Sequence, residues 1–382
     1  MRILTFLHSY EPGGVERIAL RLVREWRARG IDAPLFVGRA DGTMRDDVGA
    51  GLAPIIPPPP RNGLDPARWE AIWMILTLPR VVREQQPDVL FCAGNTYAVI
   101  AIALKLLLGP ACPPIVAKIS NDLRRRDKPW WRRMLYRFYL RVQGRLFDRV
   151  IGMEASAVDE ICEMLAVHRD RITVIPDPAL SHAMIATLRD APARPMEGGR
   201  RFVAVGRLAR QKNLPLMLRA FARGAAPEDR LALIGEGPER PRLEALAAEL
   251  GIAGRVSFPG YHPEPATILC GHDVLLLSSD YEGVPAVVIE ALAARLPIVA
   301  TDCSASMGAL LLGGRLGDLV PVRDEALFAG AIARAVPSRQ DAALTLRQAE
   351  RFTIERASDL YLAVMRGSLR RVAKERMPLP VS

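Results

Sequence analysis

The sequence predicts an α/β protein built from two doubly wound parallel sheets, and three observations carry that prediction. Apolar strand-like runs alternate with helix-like segments along the whole chain. The strand-like runs are apolar nearly throughout, as in strands covered on both faces, instead of alternating between polar and apolar. The rhythm pauses before the adjacent glycines Gly198 and Gly199 and then starts afresh, so two Rossmann-like units facing each other across a cleft are expected.

In the first half the expected strands are RILTFL, APLFV, DVLFCA, PIVAKIS, RVIGM and ITVIP. Between them lie the helical patterns GVERIALRLVREWRARG, ARWEAIWMILTLPRVVREQQ, NTYAVIAIALKLLLG, WWRRMLYRFYLRVQGRL and SAVDEICEMLAV. The proline cluster PIIPPPPRNG, residues 54–63, reads as an extended surface connection inside this unit. The stretch from Pro176-Asp177-Pro178 through Pro192 and Pro195 to Gly198-Gly199 reads as the linker. The second unit supplies the strands RFVAVG, LALIG, RVSFPG, DVLLLSS and PIVAT. The last segment, IERASDLYLAVMRGSLRRVAKER, has no strand after it and is expected to return to the first unit. The expected boundaries are therefore 1–178 together with 354–382, and 179–353.

The 382 residues, 50% hydrophobic and 25% charged, have ordinary globular composition and length enough for two or three domains. Cys92, Cys112, Cys162, Cys270 and Cys303 are scattered without C-x-x-C spacing, so they read as buried hydrophobes in a reducing compartment and not as a zinc or disulfide framework. MRILTFLHSY is too short in its apolar part for a signal peptide. The run AVIAIALKLLLG carries Lys105 and is too short to span a bilayer. The expected location is cytoplasmic, with peripheral attachment to the cytoplasmic face of the inner membrane as an extension of it.

The net charge of +10 is concentrated. Residues 121–149 hold Arg124, Arg125, Arg126, Lys128, Arg132, Arg133, Arg137, Arg141, Arg145 and Arg149 against Asp122, Asp127 and Asp148. From Arg133 the arginines recur every fourth residue, one ridge on a helix, interleaved with Trp130, Trp131, Met134, Leu135, Phe138, Leu146 and Phe147. A basic helix with aromatics suits an anionic membrane surface, at about 1 kcal/mol per basic residue that reaches it. The competing readings are an ordinary helix with one solvated face and a nucleic-acid contact, and no nucleic-acid-binding motif accompanies the latter.

Four loops carry the candidate chemistry, each following a strand and preceding a helix. In HSYEPGGVER, residues 8–17, Gly13 and Gly14 allow close backbone approach, and the helix start attracts anions. In GRLARQKN, residues 206–213, Arg207 and Lys212 offer two cations to a diphosphate. In GEGPER, Gly235 opens a turn that can pack against a base, although a purely structural turn fits equally well. In SSDYEGVPAVVIEAL, residues 278–292, Glu282 follows a buried strand, Gly283 permits a tight turn, and Pro285 suits a helix start. Seven residues on from the Gly283 turn, Glu290 falls on the helix beyond.

Together these motifs resemble those of the retaining glycosyltransferases of family 4, the group 1 glycosyltransferases, over nearly the whole chain and most strongly over residues 201–302. The resemblance implies the GT-B fold and transfer of a hexose-type sugar from a nucleotide-sugar to an acceptor, with retained anomeric configuration and without a metal ion. It implies a donor set of Gly13, Gly14, Arg207, Lys212, Gly235, Glu282, Gly283, Val284 and Glu290. Arg207 and Lys212 would hold the diphosphate, Glu282 the sugar and Glu290 the ribose, with the catalytic load on Arg207, Lys212 and Glu282. His8, Ser120 and Asn121 are the acceptor-side candidates.

The expected donor is a UDP-sugar, with a GDP-sugar as the alternative, and no tightly bound cofactor. The expected acceptor is a glycan or lipid-linked glycan of cell-surface polysaccharide or glycolipid synthesis, with no nucleic-acid partner. Two departures stand out: Ser120-Asn121 occupies the place where many relatives carry His, and Ala309 a place where they carry Glu. A sugar-nucleotide epimerase or hydrolase on the same fold, and a non-catalytic membrane- or nucleic-acid-binding protein, are the rival readings.

Overall fold

The computed structural model of the chain describes residues 1–11, 13–58, 69–120, 123–124, 129–190, 198–262, 265–336 and 341–376, without the side chains of 265–266 and 371–376. Asn121, Arg125, Arg126, Lys128, Asp122 and Asp127 lie outside the described residues, as do Pro192 and Pro195 of the expected linker and residues 59–63 of the proline cluster. The chain divides into two compact units, Met1–Pro176 with Ile354–Ser382, and Asp177–Thr353.

The first unit runs β1 (Ile3–Leu7), α1 (Gly14–Ala28), β2 (Leu35–Val37), α2 (Glu70–Gln85), β3 (Val89–Cys92), α3 (Ala98–Leu108), β4 (Ile115–Lys118), α4 (Trp130–Leu146), β5 (Arg149–Gly152), α5 (Val158–Leu165) and β6 (Ile172–Val174). Its six described strands pair in parallel in the order β2-β1-β3-β4-β5-β6. Every residue of β1 through β4 is buried, which explains the unbroken apolar runs in the sequence. Right-handed crossovers place α2 to α5 on one face of the sheet, and α3 packs against α2 and α4, and α4 against α5. Gly144 of α4 makes that last contact close: a Cβ there would stand 2.0 Å from the Leu165 carbonyl oxygen.

The second unit runs α6 (His182–Asp190), β7 (Arg201–Val205), α7 (Leu214–Gly224), β8 (Arg230–Ile234), α8 (Arg240–Glu249), β9 (Val256–Gly260), α9 (Pro265–Leu269), β10 (Val274–Leu277), α10 (Ala286–Ala293), β11 (Ile298–Thr301), α11 (Met307–Leu310), β12 (Asp318–Val320), α12 (Glu325–Arg334) and α13 (Ala342–Ala349). Its described strands are also parallel, in the order β12-β11-β10-β7-β8-β9. The final helix, α14 (Ile354–Arg376), belongs to the first unit and packs on α1. Its Tyr361 is fully buried and meets the rings of Trp26 and Phe91 edge-on, at 6.2 and 5.4 Å. Arg29 fastens the same junction through Asp359 at 2.5 Å.

Two elements differ from the sequence reading, and the helical arginine ridge read through Arg149 stops at Arg145, because α4 ends at Leu146 and Arg149 opens β5. The stretch read as a linker contains α6, whose start is capped by Ser181 Oγ accepting the Met184 N–H at 3.1 Å and whose Ile185 and Leu188 are buried. In the sequence, the prolines that flank this helix outweigh its short apolar stripe. Strand β12 is absent from the expected set, because only Val320 of its three residues is buried. It sits at the sheet edge, where the apolar demand is low.

A buried ion pair closes the start of the second sheet. Asp229, 1% exposed, accepts hydrogen bonds from the Arg200 guanidinium and from the backbone N–H groups of Arg200 and Ala226. Burial pushes its carboxyl up, but the hydrogen bonds from Arg200 and Ala226 outweigh that and leave it below the ordinary value. Its stabilising effect is therefore complete above about pH 3.9, the unfolded value, and is lost as pH falls through the lower native value. Asp229→Ala, which removes the carboxylate from a half-buried guanidinium that keeps the Ile332 and Ala335 carbonyls as acceptors, is expected to destabilise the chain by about 1–3 kcal/mol in urea denaturation at neutral pH.

Candidate active site

Parallel strands bring all their carboxyl-end loops to one edge, and a crevice opens where the connections leave in opposite directions. In the second unit β7 leads rightward to β8 and β10 leads leftward to β11, so that switch point lies between the adjacent strands β7 and β10. The loop after β7 carries Arg207 and Lys212, and the loop after β10 carries Ser278 to Glu282. Topology thus joins two motifs that are far apart in sequence.

The junction is a dense polar network. Lys212 Nζ donates to Glu282 Oε1 at 2.6 Å, and Ser279 Oγ donates to the same oxygen at 2.8 Å. Gln211 Nε2 donates to the Tyr281 carbonyl at 2.8 Å, while the Asp280 N–H returns to the Gln211 carbonyl at 2.8 Å. Ser278 Oγ donates to the Lys212 carbonyl at 2.8 Å. Thr301, at the end of β11, donates to the Ser279 carbonyl at 2.7 Å, and the Glu282 N–H reaches the Cys303 carbonyl at 3.1 Å. The loops are therefore tied to one another by side-chain and backbone hydrogen bonds of the chain's own.

Lys212 and Glu282 keep 21% and 12% of their side chains exposed, enough to meet a ligand. An ammonium has three N–H donors, so Lys212 retains two after serving Glu282. Arg207 is exposed and has no ion pair among the described residues. A small cavity beside Lys212, with room for about one water, is lined by Gly206, Arg207, Lys212, Ser278 and Ser279 on its polar side and by Leu208, Leu214, Met217, Leu233 and Leu276 on the other. Gly206 and Gly235, at φ +150° and +143°, let the two loops touch: a Cβ on Gly235 would stand 2.1 Å from the Gly206 carbonyl oxygen. Gly235 thus has a structural duty whatever else it meets. Cys303, close to Glu282, is buried, and burial with the nearby carboxylate pushes its thiol up to about 12, so it stays protonated and is no nucleophile.

Of the remaining donor-side candidates, Gly283 offers its carbonyl to Ser306 Oγ at 2.7 Å, and Val284 is 8% exposed. Pro285 caps α10, in keeping with its sequence position. Glu290 is only 3% exposed, on a helix whose residues from Val287 to Ala293 are all buried. A carboxylate at that position is an interior group and not a solvated one. Ala309 lies in α11, and its carbonyl accepts a hydrogen bond from Gln348 at 2.9 Å.

The first unit has its own switch point, between β1 and β3. His8, just after β1, stacks on Tyr97, just after β3, with ring centroids 4.7 Å apart. The Tyr97 hydroxyl donates to Glu16 at 2.6 Å. Glu16 stands in the first turn of α1 and folds back onto Gly13, where a Cβ would lie 2.0 Å from its Oε2. The helix start expected to attract an external anion therefore already carries the chain's own carboxylate, whereas Gly14 has open space beside it. Arg39 pairs with Glu70 at 2.8 Å, and Glu70 stands 3.8 Å from His8 Nδ1. Ser120 is held by Asn95, whose Oδ1 accepts its N–H at 2.8 Å.

Sequence reading does not single out Ser279, Gln211, Glu70, Arg39, Tyr97, Glu16 or Asn95. The only local signal is their place near a strand's carboxyl end or a helix start. Burial, followed by the opposing charges of Glu16 and Arg39, leaves His8 below its ordinary value. Its imidazole is expected to titrate below pH 6.5 when followed by NMR, and hence to be neutral at pH 7.

Comparison with known proteins agrees with this arrangement. A family model described as Glycosyltransferase Family 4 matches residues 12–178, and one described as Glycosyl transferases group 1 matches residues 199–337. The chain is 27% identical over 377 residues to the lipopolysaccharide core biosynthesis glycosyltransferase LpsE of Rhizobium meliloti (strain 1021), covering 95% of this chain and 98% of LpsE. Among solved structures, Anabaena HepE in complex with UDP and glucose matches with a TM-score of 0.73 at 17% identity, covering 96% of this chain and 99% of that one. The apo form of the lipopolysaccharide outer core galactosyltransferase WaaB matches with a TM-score of 0.65 at 18% identity, covering 99% and 100%. These likenesses establish the GT-B architecture, two parallel-sheet Rossmann-like units. The chain belongs to the family 4, or group 1, glycosyltransferases.

Proposed function

We propose that this chain transfers a hexose-type sugar from a UDP-sugar to a glycan or lipid-linked acceptor with retention of configuration and without a metal ion, in the synthesis of a cell-surface polysaccharide or lipopolysaccharide. The observation that carries the reading is the Lys212–Glu282 pair at the β7/β10 switch point, with Arg207 exposed beside it. Arg207 and the two remaining Lys212 donors receive the diphosphate and stabilise it as it leaves. Glu282, oriented by Lys212 and Ser279, accepts hydrogen bonds from the sugar hydroxyls. Gly283 and Val284 flank it with backbone, and Glu290 serves the ribose from the helix behind.

Lys212 and Ser279, which both line the cavity, hold Glu282 through one oxygen and leave the other for a ligand. That favours a recognition role over an acid/base pair, and supports a catalytic effect that rests on positioning and on charge stabilisation of the leaving group. His8 and Ser120, on the first unit, are assigned to the acceptor side. UDP as the nucleotide carrier is supported by the UDP and glucose bound to HepE. A cell-surface glycan as product is supported by the lipopolysaccharide functions for which LpsE and WaaB are named. Attachment to the cytoplasmic face of a membrane belongs to the same reading, through attraction of the α4 arginines to anionic lipid.

A thermal-shift series over UDP-, GDP- and ADP-sugars is expected to raise the melting temperature with the UDP-sugars. A rise with GDP-sugars alone would reassign the donor, and no rise with any of them would overturn the enzyme reading. Lys212→Ala and Glu282→Ala are each expected to lower kcat/KM by about 10²–10³-fold. A chelator is expected to leave the rate unchanged, and loss of activity that added metal restores would overturn the metal-independent mechanism.

A further inference from the structure

The first turns of α4 have no packed face. Each residue from Trp130 to Leu135 is exposed, and the buried residues of the helix, Leu140, Gln143 and Gly144, all lie in its second half. Trp130, Met134, Leu135 and Phe138 expose 73%, 60%, 63% and 69% of their surface. The helix carries Arg132, Arg133, Arg137, Arg141 and Arg145 and no acidic residue. Arg137 pairs with Glu163 at 3.5 Å, and Arg132 lies over the Trp131 ring at 4.9 Å. Arg133, Arg141 and Arg145 have no ion pair among the described residues. In the same helical layer, Trp69, Ile72 and Leu76, at the start of α2, are also exposed.

We infer that this face inserts into the surface of an anionic bilayer, with the start of α4 as its main wedge. Attraction by arginines alone would need only basic side chains at the surface, whereas Trp130, Trp131, Met134, Leu135 and Phe138, which at 3.6 residues per turn fall within one arc of about 140°, form an exposed apolar face that suits an apolar medium. Tryptophans suit the headgroup boundary, Leu135 and Phe138 the acyl region beneath, and the long arginine stems can reach back to the phosphates. Nucleic acid would use the arginines, and a single strand the aromatic rings as well, but either would leave Met134 and Leu135 in water. A two-fold contact with a second copy would bring two acid-free basic helices together. Among the described residues no helix is long and apolar enough to cross a membrane, so the occupant is met at its surface.

The helix starts lie at the same sheet edge as His8 and Ser120. Insertion would therefore turn the acceptor side toward the bilayer and select acceptors carried on lipid. This deepens the proposed function, and rests on it for the role of the acceptor but not for the membrane contact.

The test is co-sedimentation of the full chain with phosphatidylcholine vesicles, with and without phosphatidylglycerol. Binding is expected only when phosphatidylglycerol is present, with a blue shift of tryptophan emission that Trp130→Phe/Trp131→Phe reduces. Leu135→Asp/Phe138→Asp is expected to weaken binding at least about tenfold, while its melting temperature and its response to UDP-sugar match the parent chain. Failure of the parent chain to bind, or equal binding by the Asp variant, would overturn insertion. So would retention on duplex DNA without retention on vesicles, or a dimer that the Asp variant dissolves in a chain that ignores vesicles. Because binding is read without turnover, its failure would leave the nucleotide-sugar thermal shift as an independent test of the donor.

Discussion

The reversal of strand order between β7 and β10 is the constraint on which the second unit's chemistry depends. Two neighbouring parallel strands send their connections apart, and the gap has to be bridged by side chains. Lys212 and Glu282 do so across 2.6 Å, with Ser279 on the same carboxylate oxygen. The surrounding features make this pair possible. Gly206 leaves room for the lysine stem, whose Cε would stand 3.2 Å from a Cβ at that position. The Gln211 side-chain amide and the Asp280 N–H each bond to a carbonyl of the other's loop, so the loops are joined independently of Lys212 and Glu282.

The first unit solves the same geometric problem with different chemistry. At its switch point an imidazole stacks on a phenol, and the phenol hydroxyl passes to a carboxylate at the start of α1. The two edges thus differ in character. One presents the Lys212–Glu282 pair, and the other an imidazole flanked by the Arg39–Glu70 pair. Under the proposed function the former edge would meet the charged donor and the latter the acceptor hydroxyl.

Much of this is legible in the sequence. The βαβ rhythm and the fully apolar strands specify doubly wound parallel sheets, and the four glycine- and charge-bearing loops fall where the strands end. What is not legible depends on partners distant in sequence. Nothing near Ser279 says that its hydroxyl will meet Glu282, and Arg39 and Glu70 meet only because β2 and α2 return to one edge. Glu290 looks like a solvated helix residue until the packing around α10 shows it to be interior. The arginine ridge of α4 is visible as a period of four, but the lack of any packed face on its first turns is a property of the assembled layer. Helix α6 is obscured because the prolines on either side are stronger signals than Ser181 and two apolar residues.

The close contact at Gly144 has a mechanical consequence. It pins one end of α4 to α5 through backbone, and at about 1.5 Å per residue Trp130 stands roughly 20 Å away along a continuous helix. Under the inferred insertion, a helix clamped at one end and embedded at the other would act as a strut that fixes the tilt of its unit against the surface. An acceptor confined to that surface would then approach the strand edge by diffusion in two dimensions and always from the same side. The orientation that the transfer chemistry needs would be set by a missing side chain far from the reacting groups.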